Sequence, residues 1–157
     1  MTTLTDDGLV RLQIWLSPNF PVGAFAYSHG LEYAVEAGAI DGAETLVRWV
    51  SGIISFGAGR LDGALLRAAY EAIDNRDDGR LAQVVERAEA QRGSAEMALE
   101  SAAQGRAFLL TLTKVWPEPK LLRWQQTLRQ AQRQPAYAVA LGVACALAGI
   151  PLRPALL

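Results

Sequence analysis

The segment Ser94-Ala95-Glu96-Met97-Ala98-Leu99-Glu100-Ser101-Ala102-Ala103-Gln104-Gly105-Arg106-Ala107-Phe108-Leu109-Leu110-Thr111-Leu112 carries one period from end to end. Apolar or small residues recur through Leu99, Ala102/Ala103 and Phe108 to Leu112, the spacing of one face of an α-helix. Ser94 opens the helix. Trp116-Pro117-Glu118-Pro119 closes it, because proline removes a backbone donor and crowds the preceding turn. Glu96, Glu100 and Gln104 form a polar stripe, and Ser101 and Gly105 form a small-residue stripe beside it. Glycine within a helix costs about 1 kcal/mol relative to alanine. Gly105 therefore predicts a close helix crossing, either inside the domain or across a dimer interface.

The same period extends in both directions. Leu9, Leu12 and Trp15/Leu16 make a short first stripe that ends at Pro18. Ser28 is placed to cap a short helix that stops at Gly38. Leu46, Trp49/Val50, Ile53/Ile54 and Phe56 predict a helix from about Ala43, followed by a break at Gly57-Ala58-Gly59. Leu61, Leu65, Ala68/Ala69 and Ala72 make the next, which ends in Asp74-Asn75-Arg76-Asp77-Asp78-Gly79, and Leu81, Val84/Val85 and Ala88 another. Lys120–Arg133 and Tyr137–Ala148 are separated by Pro135. No run alternates with β-branched enrichment. The expected fold is all-α: one domain over residues 1–157, a bundle of about seven or eight helices.

Composition narrows the function classes. The chain has 157 residues, 51% hydrophobic and 20% charged, with a net charge of −1. That is a globular balance without the basic excess that nucleic acid or an anionic membrane would attract. The N-terminus has no secretory pattern, and the longest apolar run, near Tyr137–Ile150, is short of the roughly 20 residues that span a bilayer. The single cysteine, Cys145, sits in that run as a small hydrophobe and fits a reducing compartment. A cytoplasmic location is expected.

The most constrained non-helical stretch is Ser17-Pro18-Asn19-Phe20-Pro21-Val22-Gly23-Ala24-Phe25-Ala26-Tyr27-Ser28-His29-Gly30-Leu31-Glu32. Pro18 and Pro21 fix the backbone, Gly23 and Gly30 permit angles other residues resist, and three aromatics sit where a polar loop is usual. Pro18, Pro21 and Gly23 are expected to shape the turn, with Phe25 directed inward. Tyr27 and the Ser28–Glu32 edge are left for a partner, since aromatics on a rigid turn make good anchors.

This stretch resembles the UreF family of urease accessory proteins. So do Arg92, Glu96, Glu100, Ser101 and Gly105-Arg106, and so does Tyr137-Ala138-Val139-Ala140-Leu141-Gly142 with Gly149-Ile150-Pro151. The resemblance implies a non-catalytic chaperone of urease maturation. Such a protein works as a homodimer that bridges UreD (also called UreH) and the GTPase UreG and helps nickel reach the urease apoprotein. It implies partner contacts at Tyr27, Ser28, Gly30, Glu32, Glu100 and Gly105, and no cofactor. It also implies further helices after Pro151-Leu152-Arg153-Pro154-Ala155-Leu156-Leu157, so that the chain is expected to be C-terminally truncated.

Four other motifs invite a chemical reading. Ala26-Tyr27-Ser28-His29-Gly30 nearly matches the nucleophile elbow of a small hydrolase. However, its first glycine is replaced and the only histidine is adjacent to the serine, badly placed to take its proton. His29, Glu32 and Glu36 would share a helix face and offer one nitrogen and two oxygens to a metal, yet a solvated polar face is the ordinary reading, and no metal site is assigned. Lys120, Arg123, Arg129 and Arg133 lie on a helix with no acid. The ordinary reading is the solvated face of an amphipathic helix; beyond it, an acidic partner surface ranks ahead of a nucleic-acid-binding regulator, for want of a second basic element. Gly57-Ala58-Gly59-Arg60-Leu61-Asp62-Gly63 follows a helix rather than a strand and reads as close helix packing, not a phosphate loop.

Overall fold

A computed structural model describes residues 3–24 and 28–157 of the chain. Eight helices follow the expected order: α1 (Asp6–Trp15), α2 (Leu31–Glu36), α3 (Ala43–Phe56), α4 (Ala58–Asp74), α5 (Asp78–Ala90), α6 (Ala95–Val115), α7 (Pro119–Gln130) and α8 (Tyr137–Leu147). A further single turn, α9 (Leu152–Leu156), follows Pro151. No strand occurs among the described residues.

The helix ends follow local chemistry. Thr5 caps α1 by accepting from the Gly8 N–H, Asp77 caps α5 from Arg80 N–H, and Ser94 caps α6 from Met97 N–H. Pro119 occupies the first turn of α7, where a missing N–H costs nothing, and Glu118 accepts from Lys120 and Leu121 N–H. Gly38, with φ +71°, ends α2 in the left-handed conformation. The α7 helix stops at Gln130, three residues before Arg133, because Gln132 turns to φ +53°.

One expected cap is corrected. Ser28 does not cap α2: the cap position is Gly30 at φ +75°, with no side-chain bond, and His29 also lies at positive φ. Two successive left-handed residues bend the chain away before the helix starts. His29 is thus outside α2 and does not share a helix face with Glu32 and Glu36. Among the described residues no three His, Cys, Asp or Glu side chains cluster as metal ligands would.

The core is organised around α8, in which every residue from Ala138 to Cys145 is buried. It packs chiefly on α4 and α6, with α5, α7 and α9 completing the enclosure. Two glycines permit this approach. A Cβ at Gly142 would collide with the Leu66 carbonyl oxygen of α4 and lie 3.1 Å from its carbonyl carbon. A Cβ at Gly105 would collide with the Pro135 carbonyl oxygen and lie 2.7 Å from the Ala136 carbonyl carbon. The crossing expected at Gly105 is therefore within the chain.

An aromatic cluster joins the N-terminal third to this core. Phe108 of α6 is fully buried and meets Trp15 edge-on at 6.2 Å, Tyr137 edge-on at 5.5 Å and Phe20 at 5.2 Å. These are favourable separations for aromatic pairs. Trp116 stacks on Trp15 at 5.6 Å and carries the Arg11 guanidinium 4.9 Å from its ring centre. Phe20, from the proline-bounded loop, is thus directed inward, while Pro18, Pro21 and Gly23 are exposed. Gly23 takes φ +76° with open space around it, so the turn needs glycine for conformation rather than room. Phe25, expected inward, lies outside the described residues.

The α3 helix behaves differently. Its apolar stripe is present, but no residue of the helix is buried, and Val47, Ile54 and Phe56 are largely exposed. Gly57 and Gly59 allow the tight bend into α4, since a Cβ on Gly59 would come within 2.8 Å of Ile54 Cα. No helix among the described residues is long and apolar enough to cross a membrane.

Gly105→Ala and Gly142→Ala should each lower Tm by about 3–10 °C, from an overpacking cost of about 1–3 kcal/mol. Gly52→Ala, with nothing within 4 Å of the new methyl, should leave Tm unchanged or higher. Burial pushes the Cys145 thiol from 9.0 to about 12, and burial, then the nearby Cys145, pushes the Tyr137 phenol from 10.0 to about 12. Both folded values are raised, so the stability these groups contribute is intact below their unfolded values and is lost as pH rises through 9 toward 12. Thermal melts should fall across that window, and Cys145 should resist a disulfide-forming thiol reagent at pH 8 until the chain is unfolded.

Candidate functional site

The two glycine contacts around α8 fix where the first half of α6 faces α4, and a cleft opens between them. It has a volume of about 270 Å³ and is lined by Ala24 and His29 from the loop, Ala58 and Asp62 from α4, Arg92, and Met97, Glu100, Ser101 and Gln104 around α6, with Tyr137 behind. A shallower extension adds Ser28, Gly30 and Ile53.

Arg92 is the anchor of this cleft. Its side chain is 5% exposed, and its Nη2 donates to Asp62 Oδ1 at 2.7 Å, tying the α5–α6 turn to α4 across 30 residues of sequence. Its Nε is enclosed without a partner among the described residues. Glu100 is half-buried and accepts from Gln104 Nε2 at 3.0 Å, one helical turn along. Arg92 and Asp62 cancel in charge, so the cleft retains the Glu100 carboxylate as its unbalanced group. Under the extension, Trp49 of α3 would lie 3.7 Å from a Cβ on Gly30, and its indole N–H has no acceptor among the described residues.

Ser28, Gly30 and Glu100, which sequence reasoning placed in two separate motifs, therefore face one cleft. Glu32 is exposed on α2 and does not line it. Gly105 is buried at the crossing with the Pro135–Tyr137 backbone, and Tyr27 lies outside the described residues. Asp62 was missed because its partner is distant in sequence and its own neighbourhood reads as helix packing.

A family model described as UreF matches residues 40–157. The chain belongs to the UreF family. It is 46% identical over 147 residues to the urease accessory protein UreF of Magnetococcus marinus, covering 94% of this chain and 62% of the relative. It is 44% identical over 161 residues to the urease accessory protein UreF of Rhodopseudomonas palustris strain BisA53, covering 97% and 66%. The chain thus spans less than two thirds of the length of these UreF relatives.

The Arg92–Asp62 pair has a measurable signature. Asp62→Ala leaves a buried guanidinium uncompensated and should cost about 1–3 kcal/mol in urea unfolding, discounted because Asp62 is partly exposed. Asp62→Ala/Arg92→Met should cost less than Asp62→Ala alone, since removing both charges removes the penalty. Additive losses would show that the two side chains are not coupled.

Proposed function

We propose that this chain is a non-catalytic docking subunit in urease maturation, presenting the α4–α6 cleft and the Ser28–Glu32 edge to other accessory proteins. On this reading its partners are UreD (UreH), the GTPase UreG and the urease apoprotein. It acts in the cytoplasm as a homodimer and assists nickel delivery without holding the metal or a cofactor.

The observation that carries the proposal is the convergence of Ser28, His29 and Gly30 with Glu100 on one surface. Its backbone is pre-set by His29 and Gly30 at positive φ, and its floor is braced by the Arg92–Asp62 pair. A rigid patch of this kind loses little conformational freedom on binding. The half-buried Glu100 carboxylate, which accepts from Gln104 and has no ion-pair partner among the described residues, suits a positively charged donor from a partner. Membership of the UreF family supports the choice of partners. Among the described residues Ser28 makes no hydrogen bond to His29, which is exposed.

The test is co-purification of the chain with co-expressed UreD and UreG, alongside urease activation in the same cells. Glu100→Lys, at a half-exposed position, should reduce partner retention by on the order of tenfold while its thermal melt stays that of the parent. Undiminished retention and activation with Glu100→Lys/His29→Ala would remove the cleft from the docking surface.

A further inference from the structure

A second groove, sharing no lining residue with the first cleft, lies between α5 and α7 and has a volume of about 620 Å³. Its floor is apolar: Leu81 and Val85 of α5 and Leu128 of α7 are buried, and the Trp124 indole is half-exposed beside them. Its rim is basic. Four cations and two carboxylates line it, an excess of two positive charges on a chain whose net charge is −1.

The pairing of these charges matters more than their number. Arg133 reaches from the end of α7 to Glu86, at 3.2 Å, and to Glu89, bracing the two helices at one end of the groove. The other three cations, Arg76, Lys120 and Arg123, are exposed and have no ion-pair partner among the described residues. Arg76 is held at φ +57° in the turn between α4 and α5, a conformation uncommon for a residue with a Cβ. Lys120 and Arg123 project from α7, whose described acids are confined to its cap at Glu118.

We infer that the α5–α7 groove binds an acidic amphipathic segment of a partner protein, with one large apolar side chain against Trp124 and flanking carboxylates on Lys120, Arg123 and Arg76. A tryptophan beside a buried leucine floor is a strong anchor, and unpaired rim cations supply orientation and encounter rate. The chemistry is that of a short motif laid into a groove. Nucleic acid fits less well: only three of the lining cations are without an ion-pair partner among the described residues, the net charge is negative, and one indole gives a single stacking face. The site goes beyond the docking role proposed for the α4–α6 cleft and does not depend on it.

The experiment pans a random peptide library displayed on phage against the chain, with counter-selection on Lys120→Glu/Arg123→Glu. Enriched peptides should carry two or more Asp or Glu around a leucine or aromatic residue. Synthetic versions should bind the double variant at least about tenfold more weakly by calorimetry, and binding to the parent should weaken as salt rises. Trp124→Ala should weaken the same peptides by a similar factor, with circular dichroism confirming that each variant is folded. If charge reversal unfolds the chain, Lys120→Gln/Arg123→Gln replaces it with the same expectation. Absence of enrichment, enrichment of neutral or basic peptides, equal binding to the variants, or tighter binding of a single-stranded oligonucleotide at the same residues would each overturn the assignment.

Discussion

The structure depends on how closely α8 can be approached. An eight-residue run buried on every side needs neighbours on every side, and a helix can be surrounded this tightly only if some neighbours reach its backbone. Gly142 lets the α4 backbone in, and Gly105 lets the start of α8 rest on α6. The axes of α4, α6 and α8 are fixed relative to one another by these absences of a side chain. The faces that α4 and α6 turn outward, including Asp62 and Glu100, are fixed by the same contacts. The cleft is thus a consequence of core packing rather than of a flexible surface loop.

Phe20 on Phe108 holds the start of the loop before α2 to this frame. Gly23, His29 and Gly30 are all at positive φ, and His29 and Gly30 line the extension of the cleft. His29 bears a steric cost at positive φ that glycine does not. A histidine kept at φ +51° persists where its surroundings over-determine the turn. That argues for a surface whose shape is set before a partner arrives.

Helix positions were legible in the sequence because period and punctuation agree. Gly38 and Pro117 follow the last residues of α2 and α6 by two positions, and Pro18 follows that of α1 by three. The cap at Ser94 follows from a short polar side chain that satisfies an otherwise free N–H group. What the pattern could not give was the partner of each face. The α3 stripe reads as strongly as that of α4, yet α4 is packed on α8 while no α3 residue is buried, because period reports amphipathicity and not what covers it. Ser28 looked like a cap because serine usually is one; two left-handed residues after it override that preference. The Arg92–Asp62 pair was illegible for a different reason: contact across 30 positions depends on how α4 and the α5–α6 turn are brought together, and nothing local encodes it.

Net charge near zero conceals a division that matters for binding. The α4–α6 cleft keeps a carboxylate in excess, whereas the α5–α7 groove keeps unpaired cations. At physiological ionic strength charges are screened beyond about 8 Å, so each depression acts through its own lining rather than through the field of the whole chain. Opposite local signs reject each other's ligands as well as attracting their own, because a misplaced like charge costs more than a missing contact. On the two proposed readings, the depressions would in this way keep their occupants apart. The sorting is done by which ion pairs the fold closes internally, Arg92 with Asp62 and Arg133 with Glu86 and Glu89, and which charges it leaves open.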